Sequence, residues 1–328
     1  MRNTWVVGLL LGMGALASAQ ESRFNLLDEK VVPAVLATEE DQDKKKQDPE
    51  IEIVGDKLKD DQPIGPYRRP VWTLHRASPT TRIYLQVDPG EVEFEQWLDI
   101  RLRKKRSQPD DRIRMSEEFE FGLGGRFQLD LYYNTIFSRN NGQDASLQTR
   151  SWAAELRYAL ADWGVIWGNP TLYFEYIVWN NDPNGHGDEA TSSIEPKILL
   201  GDDLGGGWRW GVNLFYERTT NASVREHGIT ASLLKTLIDG KLSGGVTAKF
   251  VYESDNVTSD QSLRARSREL YIGPNLQIRL APVEAETEID GKKRKVTKAK
   301  AHLDIEPIFG CTGDSDRVQI LLIFGWDF

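Results

Sequence analysis

The sequence has one cysteine, Cys311, and only four histidines in 328 residues. A single Cys forms no internal disulfide and the scattered His residues match no metal-ligand motif, so no metal and no cofactor are predicted. Beyond residue 20 there is no run of about 18 apolar residues, which excludes spanning helices. The 41 Lys and Arg do not exceed the 50 Asp and Glu. Without a basic excess, a nucleic-acid partner is not expected.

The amino terminus has the form of a secretory signal. Arg2 precedes an apolar run from Trp5 to Leu16, and Ala17-Ser18-Ala19 follows as a small-residue cleavage site before Gln20. The apolar core is too short to span a bilayer as a helix. We therefore assign residues 1–19 to a signal peptide and exclude them from the fold.

Residues 20–80 are predicted to be a flexible periplasmic leader that ends in a proline-rich strap. The stretch 39–49 mixes both charge signs with almost no apolar residue, so it cannot bury enough surface to fold. Ile51-Glu52-Ile53-Val54-Gly55 faintly resembles the segment by which TonB-dependent receptors contact their energy-coupling partner, although a chance apolar patch explains it more simply. Prolines within 63–79 disfavour helix and central strand. This strap either packs into the mouth of the folded domain or is a plain loop.

From residue 81 to the carboxy terminus the chain is predicted to be all β. Apolar and polar residues alternate with the period of two that a strand with unlike faces requires. Twelve segments show this pattern: Val92 to Leu102, Ile113 to Leu123, Phe127 to Phe137, Trp152 to Leu160, Leu172 to Val178, Ile194 to Leu200, Trp208 to Tyr216, Ile229 to Leu237, Val246 to Tyr252, Leu270 to Leu280, Leu303 to Phe309 and Val318 to Phe328.

The carboxy-terminal strand ends on Phe328, an aromatic terminus that suits the closing strand of an outer-membrane barrel. An even strand count also fits bacterial single-chain barrels. We therefore predict a transmembrane antiparallel up-and-down β-barrel of about twelve strands over residues 81–328, located in the outer membrane of a Gram-negative-type envelope. Aromatic residues near strand ends, among them Trp97, Tyr132, Trp152 and Trp163, are expected to form a girdle at the lipid headgroups.

Connection lengths support this strand order. If the first strand enters from the periplasm, every second connection is periplasmic and should be short. Gly124-Gly125, Gly201 to Gly207 and Asp239-Gly240 satisfy this expectation. Ala161 to Pro170 is an exception because it is long and aromatic. The charged insertion Glu284 to Lys298 is the other exception, and it indicates either a hairpin that extends from the barrel or a miscounted strand.

The polar faces of the strands are expected to point into the barrel, because charges on the lipid face cost roughly 2–4 kcal/mol each near the midplane. Acidic residues outnumber basic ones on these faces. Either opposite charges pair and fill the interior, or the acidic excess lines a water-filled, cation-favouring bore. The candidate lumen-lining residues are Glu93, Glu95, Asp99, Arg101, Glu118, Glu120, Arg157, Glu195, Lys197 and Arg209.

No catalytic residue is predicted. His186 lies among Gly185, Gly187, Asp188 and Glu189, close to Ser192 and Ser193, and this stretch superficially resembles outer-membrane phospholipase A. Its spacing departs from that enzyme's motif, and a glycine-rich loop does not fix a nucleophile and a base rigidly. A solvated surface loop is the simpler interpretation.

Three stretches resemble a group of outer-membrane barrels described as MetA-pathway-of-phenol-degradation or transporter-like proteins. They are 118–131, 194–197 and 207–214, and the resemblance extends loosely over residues 90–328. It implies a passive conduit for small molecules and supplies no functional residues. Three functions remain open: a passive pore or transport channel, a closed anchoring barrel whose leader binds a periplasmic protein, and a surface lipid hydrolase. The expected partners are outer-membrane lipid and small solutes.

Overall fold

A computed structural model of the chain describes residues 52–53, 60–102, 112–138, 146–180, 191–220, 224–255, 265–289 and 292–328. The signal peptide, most of the leader and the loop with His186 lie outside these residues. Among the described residues, no helix is long and apolar enough to cross a membrane.

Short elements precede the barrel. They are β1 (Glu52–Ile53), β2 (Pro63–Ile64), β3 (Arg69–Pro70) and a 3-10 helix (Val71–Leu74). Strand β2 pairs with β3 in a small antiparallel hairpin.

Twelve long strands follow, as the alternating pattern predicts. They are β4 (Val92–Leu102), β5 (Arg112–Gly124), β6 (Phe127–Ser138), β7 (Ser146–Ala159), β8 (Thr171–Trp179), β9 (Thr191–Gly205), β10 (Trp208–Thr219), β11 (Arg225–Ile238), β12 (Leu242–Asp255), β13 (Ala265–Ile289), β14 (Lys292–Gly310) and β15 (Val318–Asp327).

These strands form one closed antiparallel barrel. Each strand from β4 to β15 pairs with its neighbours in sequence, and β15 pairs with β4 from Val318 opposite Leu102 to Asp327 opposite Glu93. Closure leaves no free barrel edge, which a membrane-spanning sheet requires. The predicted fold class is confirmed.

The two ends of the barrel differ. We call the end with the β5–β6, β7–β8, β9–β10, β11–β12 and β13–β14 connections the turn end, and the opposite end the loop end. Residues 206–207 and 239–241 make the β9–β10 and β11–β12 turns. Strand β9 continues to Gly205, so the turn predicted over Gly201 to Gly207 is shorter than expected. Gly206 and Gly207 permit it because both have positive φ, 60° and 77°.

The charged insertion is a hairpin, not a miscounted strand. Strands β13 and β14 stay paired from Tyr271 opposite Gly310 to Ile289 opposite Lys292. Opposite charges face each other across the extension, with Lys293 Nζ 3.9 Å from Glu286 and Lys295 Nζ 4.0 Å from Glu284. Strand β1 pairs in parallel with this extension at Arg294 and Lys295.

The barrel wall has an apolar outside and a charged inside. In β8 burial alternates, so Leu172 and Phe174 are each 47% exposed whereas Thr171 and Tyr173 are buried. Leu131, Ile272 and other large apolar side chains lie outward on other strands in the same way. An apolar belt of this extent on a closed barrel is the lipid-facing surface of a transmembrane protein.

Residues 60–90, named here the inserted segment, fill the turn half of the barrel. Most of their side chains are buried, including Trp72, Arg76, Ile83 and Leu85. Ser78 and Thr81 exchange two backbone hydrogen bonds of 3.1 and 2.9 Å and so form the tip of the segment. The predicted boundary at residue 81 falls at this tip, and the first barrel strand begins at Val92.

The long β7–β8 connection packs on the inserted segment. Trp163 makes edge contacts with Trp72 and Tyr84, with ring centroids 5.5 and 5.4 Å apart. Its backbone N–H donates to the carbonyl of Tyr67 at 3.1 Å. Trp163 therefore does not belong to a headgroup girdle. The same expectation is wrong for Trp97 and Tyr132, which point inward, whereas Trp152 is 56% exposed outside.

Candidate functional site

The tip of the inserted segment is held by a buried network of ion pairs. Arg76 Nη2 lies 2.5 Å from Glu95, 2.7 Å from Glu118 and 3.2 Å from Glu120. Its guanidinium also lies over the Trp97 ring, 4.2 Å from the centroid. All four charged side chains are fully buried. Removing one of these charges would destabilise the others, because a buried charge without a partner is strongly unfavourable.

Arg82 and Arg157 extend this network. Arg82 Nη2 lies 2.8 Å from Glu118, and the same nitrogen bonds the Tyr132 hydroxyl. Arg157 Nη2 lies 2.6 Å from Asp130, and its Nε bonds Glu155. Two of the three arginines come from the inserted segment, whereas all five carboxylates belong to the barrel wall: Glu95, Glu118, Glu120, Asp130 and Glu155.

Neutral side chains also fix the backbone of the segment. The Asn213 amide donates to the Arg82 carbonyl at 2.6 Å and accepts from the Arg82 N–H at 2.8 Å. The Gln277 amide donates to the Arg76 carbonyl at 2.6 Å, and Gln128 accepts from the Gln86 N–H at 2.7 Å. These hydrogen bonds fix the position of the segment relative to the barrel wall. They also satisfy buried polar groups that would otherwise lack hydrogen-bond partners.

Asp60 anchors the segment where it enters the barrel at the turn end. Its carboxylate accepts from the Thr236 hydroxyl at 2.5 Å and the Gly240 N–H at 3.1 Å, and it pairs with Arg209 at 3.3 Å and with Arg279. Burial alone would raise the pKa of this carboxyl, but the two guanidinium groups and the hydroxyl outweigh burial and hold the pKa below its usual value.

A polar cavity of about 790 Å³ occupies the loop half of the barrel, and Arg76, Pro79, Thr80 and Arg82 at the tip of the segment form part of its lining. The lining includes nine carboxylates and eight cationic side chains, so it has no large acidic excess.

Thirteen of the seventeen charged side chains of the cavity lie on two walls of unlike charge, and the other four are Arg76 and Arg82 at the tip of the segment and Asp314 and Asp316 between β14 and β15. The wall from β4 to β7 contributes Arg101, Arg112, Arg114 and Arg150, with Asp99 as its one carboxylate. The wall from β8 to β13 contributes six glutamates and only two lysines: Glu175, Glu195, Glu217, Glu226, Glu253, Glu269, Lys197 and Lys249. A field therefore runs across the cavity, from the basic wall to the acidic wall.

The ten predicted lumen residues lie in two places. Asp99, Arg101, Glu195 and Lys197 line the cavity, where Arg101 pairs with Asp99 and Lys197 with Glu195, each at 2.9 Å. The other six are absent from the cavity lining. Five of them contact the inserted segment or its network, namely Glu95, Glu118, Glu120, Arg157 and Arg209, and Glu93 contacts His302 at 3.0 Å.

Arg76, Arg82 and Asp60 are interior groups that are not predicted from the sequence. The basic and aromatic composition of 63–79, set beside an acidic barrel wall, was the available signal. Period-two patterns assign faces to strands but say nothing about the counter-ions that a non-strand segment supplies.

No family model matches the chain, and no curated protein matches it either. Among solved structures, it is similar to an outer membrane channel from Pseudomonas putida F1, at 11% identity and a TM-score of 0.44 over 75% of this chain and 98% of that one. It is also similar to the translocator domain of the autotransporter NalP from Neisseria meningitidis, at 14% identity and a TM-score of 0.38 over 73% and 88% of the two chains. At these scores the similarities carry no information on function.

A closed barrel, an apolar outer belt and a charged interior together define the class of protein, because these features suit only a bilayer-spanning sheet. The protein is a twelve-stranded transmembrane β-barrel whose turn half is filled by residues 60–90 of its own chain.

Proposed function

We propose that the protein is an outer-membrane channel for small polar solutes and that the inserted segment is its gate. The charge-separated cavity at the loop end carries this proposal. Its two walls suit solutes that bear both charge signs or a strong dipole, because such solutes align with a transverse field. This replaces the expectation of a simple cation preference, since the lining is close to charge balance.

Displacement of the inserted segment would open the turn half. The segment lies inside the wall without being a barrel strand, so the closed β4–β15 sheet does not depend on it for hydrogen bonding. Its removal would leave five wall carboxylates with Arg157 as their one remaining arginine. Water and mobile cations would then have to solvate those carboxylates, which favours the closed state at rest.

A disulfide lock tests the gate. A Cβ placed at Gly201 on β9 would lie 3.5 Å from the Cβ of Ile83, within the range of roughly 3.5–4.5 Å that disulfides use. It would also lie 2.9 Å from the Trp210 carbonyl oxygen, so the backbone at Gly201 has to shift by a few tenths of an ångström, and Gly201→Cys alone controls for that shift. The Ile83→Cys, Gly201→Cys double variant, made with Cys311→Ser to remove the native thiol, should form this bond. The single variant Ile83→Cys in the same background is the matched control.

Planar-bilayer recording and liposome swelling with a zwitterionic amino acid provide the readout. We expect the oxidised double variant to show neither conductance nor swelling, and we expect reductant to restore both. Reductant should not change the conductance or swelling of the single variant. Equal conductance before and after reduction would contradict a gating role for the segment.

A closed anchoring barrel is the second candidate. The pairing of β1 with the β13–β14 extension supports it, because that pairing holds the amino-terminal chain beside a charged hairpin at the turn end. Absence of conductance and swelling in the reduced and wild-type proteins alike would favour this candidate. The lipid-hydrolase hypothesis concerns His186, outside the described residues, and esterase activity lost in His186→Ala would support it.

A further inference from the structure

We propose that His75, Glu93 and His302 form a binding site for one divalent transition-metal ion of the zinc class. One ligand atom from each residue lies within 4.8 Å of the others, and all three side chains are buried. His75 belongs to the inserted segment, Glu93 to β4 and His302 to β14. A bound ion would therefore tie the segment to two neighbouring regions of the wall. This inference concerns metal content alone and does not rest on solute passage.

The nitrogens of His302 are arranged as in a metal site. Its Nε2 lies 3.0 Å from Glu93 Oε1 and 3.6 Å from Glu95 Oε1, whereas its Nδ1 faces Asp304 Oδ2 at 3.5 Å. Metal-binding imidazoles use one nitrogen for the ion and direct the other to a carboxylate that fixes the ring. Asp304 lies on the side of this second nitrogen, but at 3.5 Å His302 Nδ1 and Asp304 Oδ2 form no hydrogen bond, and a shift of roughly 0.5 Å would be needed to make one.

His75 provides an independent observation. It is 2% exposed, and its Nδ1 has no hydrogen-bond partner among the described residues. Its ring lies against the His302 ring, with centroids 4.3 Å apart. A buried nitrogen without a partner is unfavourable. Neutral imidazole nitrogens are common metal ligands, so a bound cation would supply the partner that His75 Nδ1 lacks.

The donor set selects the class of ion. Two imidazoles and a carboxylate, with no thiolate, suit Zn²⁺, Co²⁺ or Ni²⁺ better than Ca²⁺ or Mg²⁺, which prefer oxygen ligands. Glu95 Oε1 is buried without a hydrogen-bond partner and is available as a fourth ligand. Tetrahedral zinc bonds of roughly 2.0–2.2 Å place ligand atoms roughly 3.3 Å apart, so closing the site takes side-chain shifts of roughly 1 Å.

Two other groups of carboxylates in the interior are not equivalent candidates. Glu95, Glu118 and Glu120 surround Arg76, and Glu118, Asp130 and Glu155 surround Arg82. One guanidinium already pairs with all three carboxylates of each group. The sequence did not reveal the histidine site because His75 and His302 are far apart in the chain and match no spacing motif.

Direct measurement of metal content tests the proposal. The full chain without an affinity tag is refolded in detergent with Zn²⁺, dialysed, and analysed by inductively coupled plasma mass spectrometry. Refolding with Co²⁺ instead adds a visible ligand-field spectrum that reports coordination. We expect one ion per folded chain. A metal-free wild-type protein would overturn the proposal and leave an ordinary His302–Glu93 ion pair.

Variants locate the ion. His75→Ala and His302→Ala should bind at least roughly 100-fold more weakly, and Asp304→Asn roughly 10- to 100-fold more weakly. His227→Ala is the matched control, because His227 stacks between Tyr216 and Tyr252 away from the cluster and should bind normally. If His302→Ala fails to fold, His75→Ala decides the question, since residue 75 lies outside the barrel strands. Stoichiometric binding retained in His75→Ala would refute the assignment.

Discussion

Replacing Arg76 with Gln should release the inserted segment while the barrel stays folded. Arg76 pairs with three buried carboxylates, Glu95, Glu118 and Glu120, and supplies the cation nearest to Glu95. Removing one partner of a buried ion pair costs roughly 3–5 kcal/mol, because the remaining charge is left without compensation. At 1.4 kcal/mol per factor of ten, the docking equilibrium of the segment should shift by roughly 100- to 4000-fold.

Hydrogen–deuterium exchange with mass spectrometry measures this shift. Peptides from residues 60–90 should exchange faster by that factor in Arg76→Gln, while peptides from β10 keep the wild-type rate. Arg126→Gln is the control, since Arg126 makes a partly exposed pair with Asp162 at 3.4 Å, and its replacement should alter exchange little. Adding Glu95→Gln to Arg76→Gln should recover part of the loss.

Two results would refute the reasoning. Unchanged exchange in residues 60–90 would mean that the Arg76 network does not hold the segment. A uniform increase that includes β10 would mean that segment and barrel unfold together, so that the segment is a core element and not a gate.

Three further predictions concern the two ends of the segment and the lipid face. Because the pKa of Asp60 is lowered in the folded protein, its stabilisation is present above the unfolded value of about 3.9 and is lost as pH falls through the lower folded value. Pepsin should therefore cleave residues 60–90 increasingly as the pH drops below about 4, and Asp60→Asn should flatten this dependence. Gly122→Ala should loosen the exit of the segment at a cost of roughly 1–3 kcal/mol, because the added Cβ would collide with the Asp88 carbonyl oxygen; exchange confined to residues near 88 checks it. Leu131→Arg should destabilise the barrel by roughly 2–4 kcal/mol in guanidinium unfolding from vesicles, whereas a change within error would argue against lipid contact at Leu131, which is 43% exposed.

The barrel could be predicted from sequence because its strands are locally encoded. In β4, the order Val92-Glu93-Phe94-Glu95 already assigns two residues to each face, and β5 repeats the pattern. The ends of the strands are harder to predict than their existence. The β13–β14 hairpin extends to Ile289 and Lys292 because Glu–Lys pairs across the extension support it, and charged residues of this kind gave no strand signal.

The interior could be predicted only in part. Alternation placed Glu118 and Glu120 on the inner face, but their partners Arg76 and Arg82 lie in a proline-rich stretch without periodicity. Pairing between such distant positions depends on the tertiary fold. The sequence of the strap is compatible both with insertion into the barrel and with a plain loop, and nothing local to it distinguishes the two. The His75–His302 contact could not be predicted either, because it also joins positions that are far apart in the sequence.

A membrane-spanning barrel requires neighbouring residues of one strand to face lipid and the enclosed interior in turn. A fluorescent label on a single introduced Cys, in the Cys311→Ser background, tests this at Ile229, which is 39% exposed, and at Thr230, which is buried and lines the cavity. In vesicles containing brominated acyl chains, we predict strong quenching of the label at residue 229 and little at residue 230. Equal quenching at both positions, or the reverse pattern, would contradict the account.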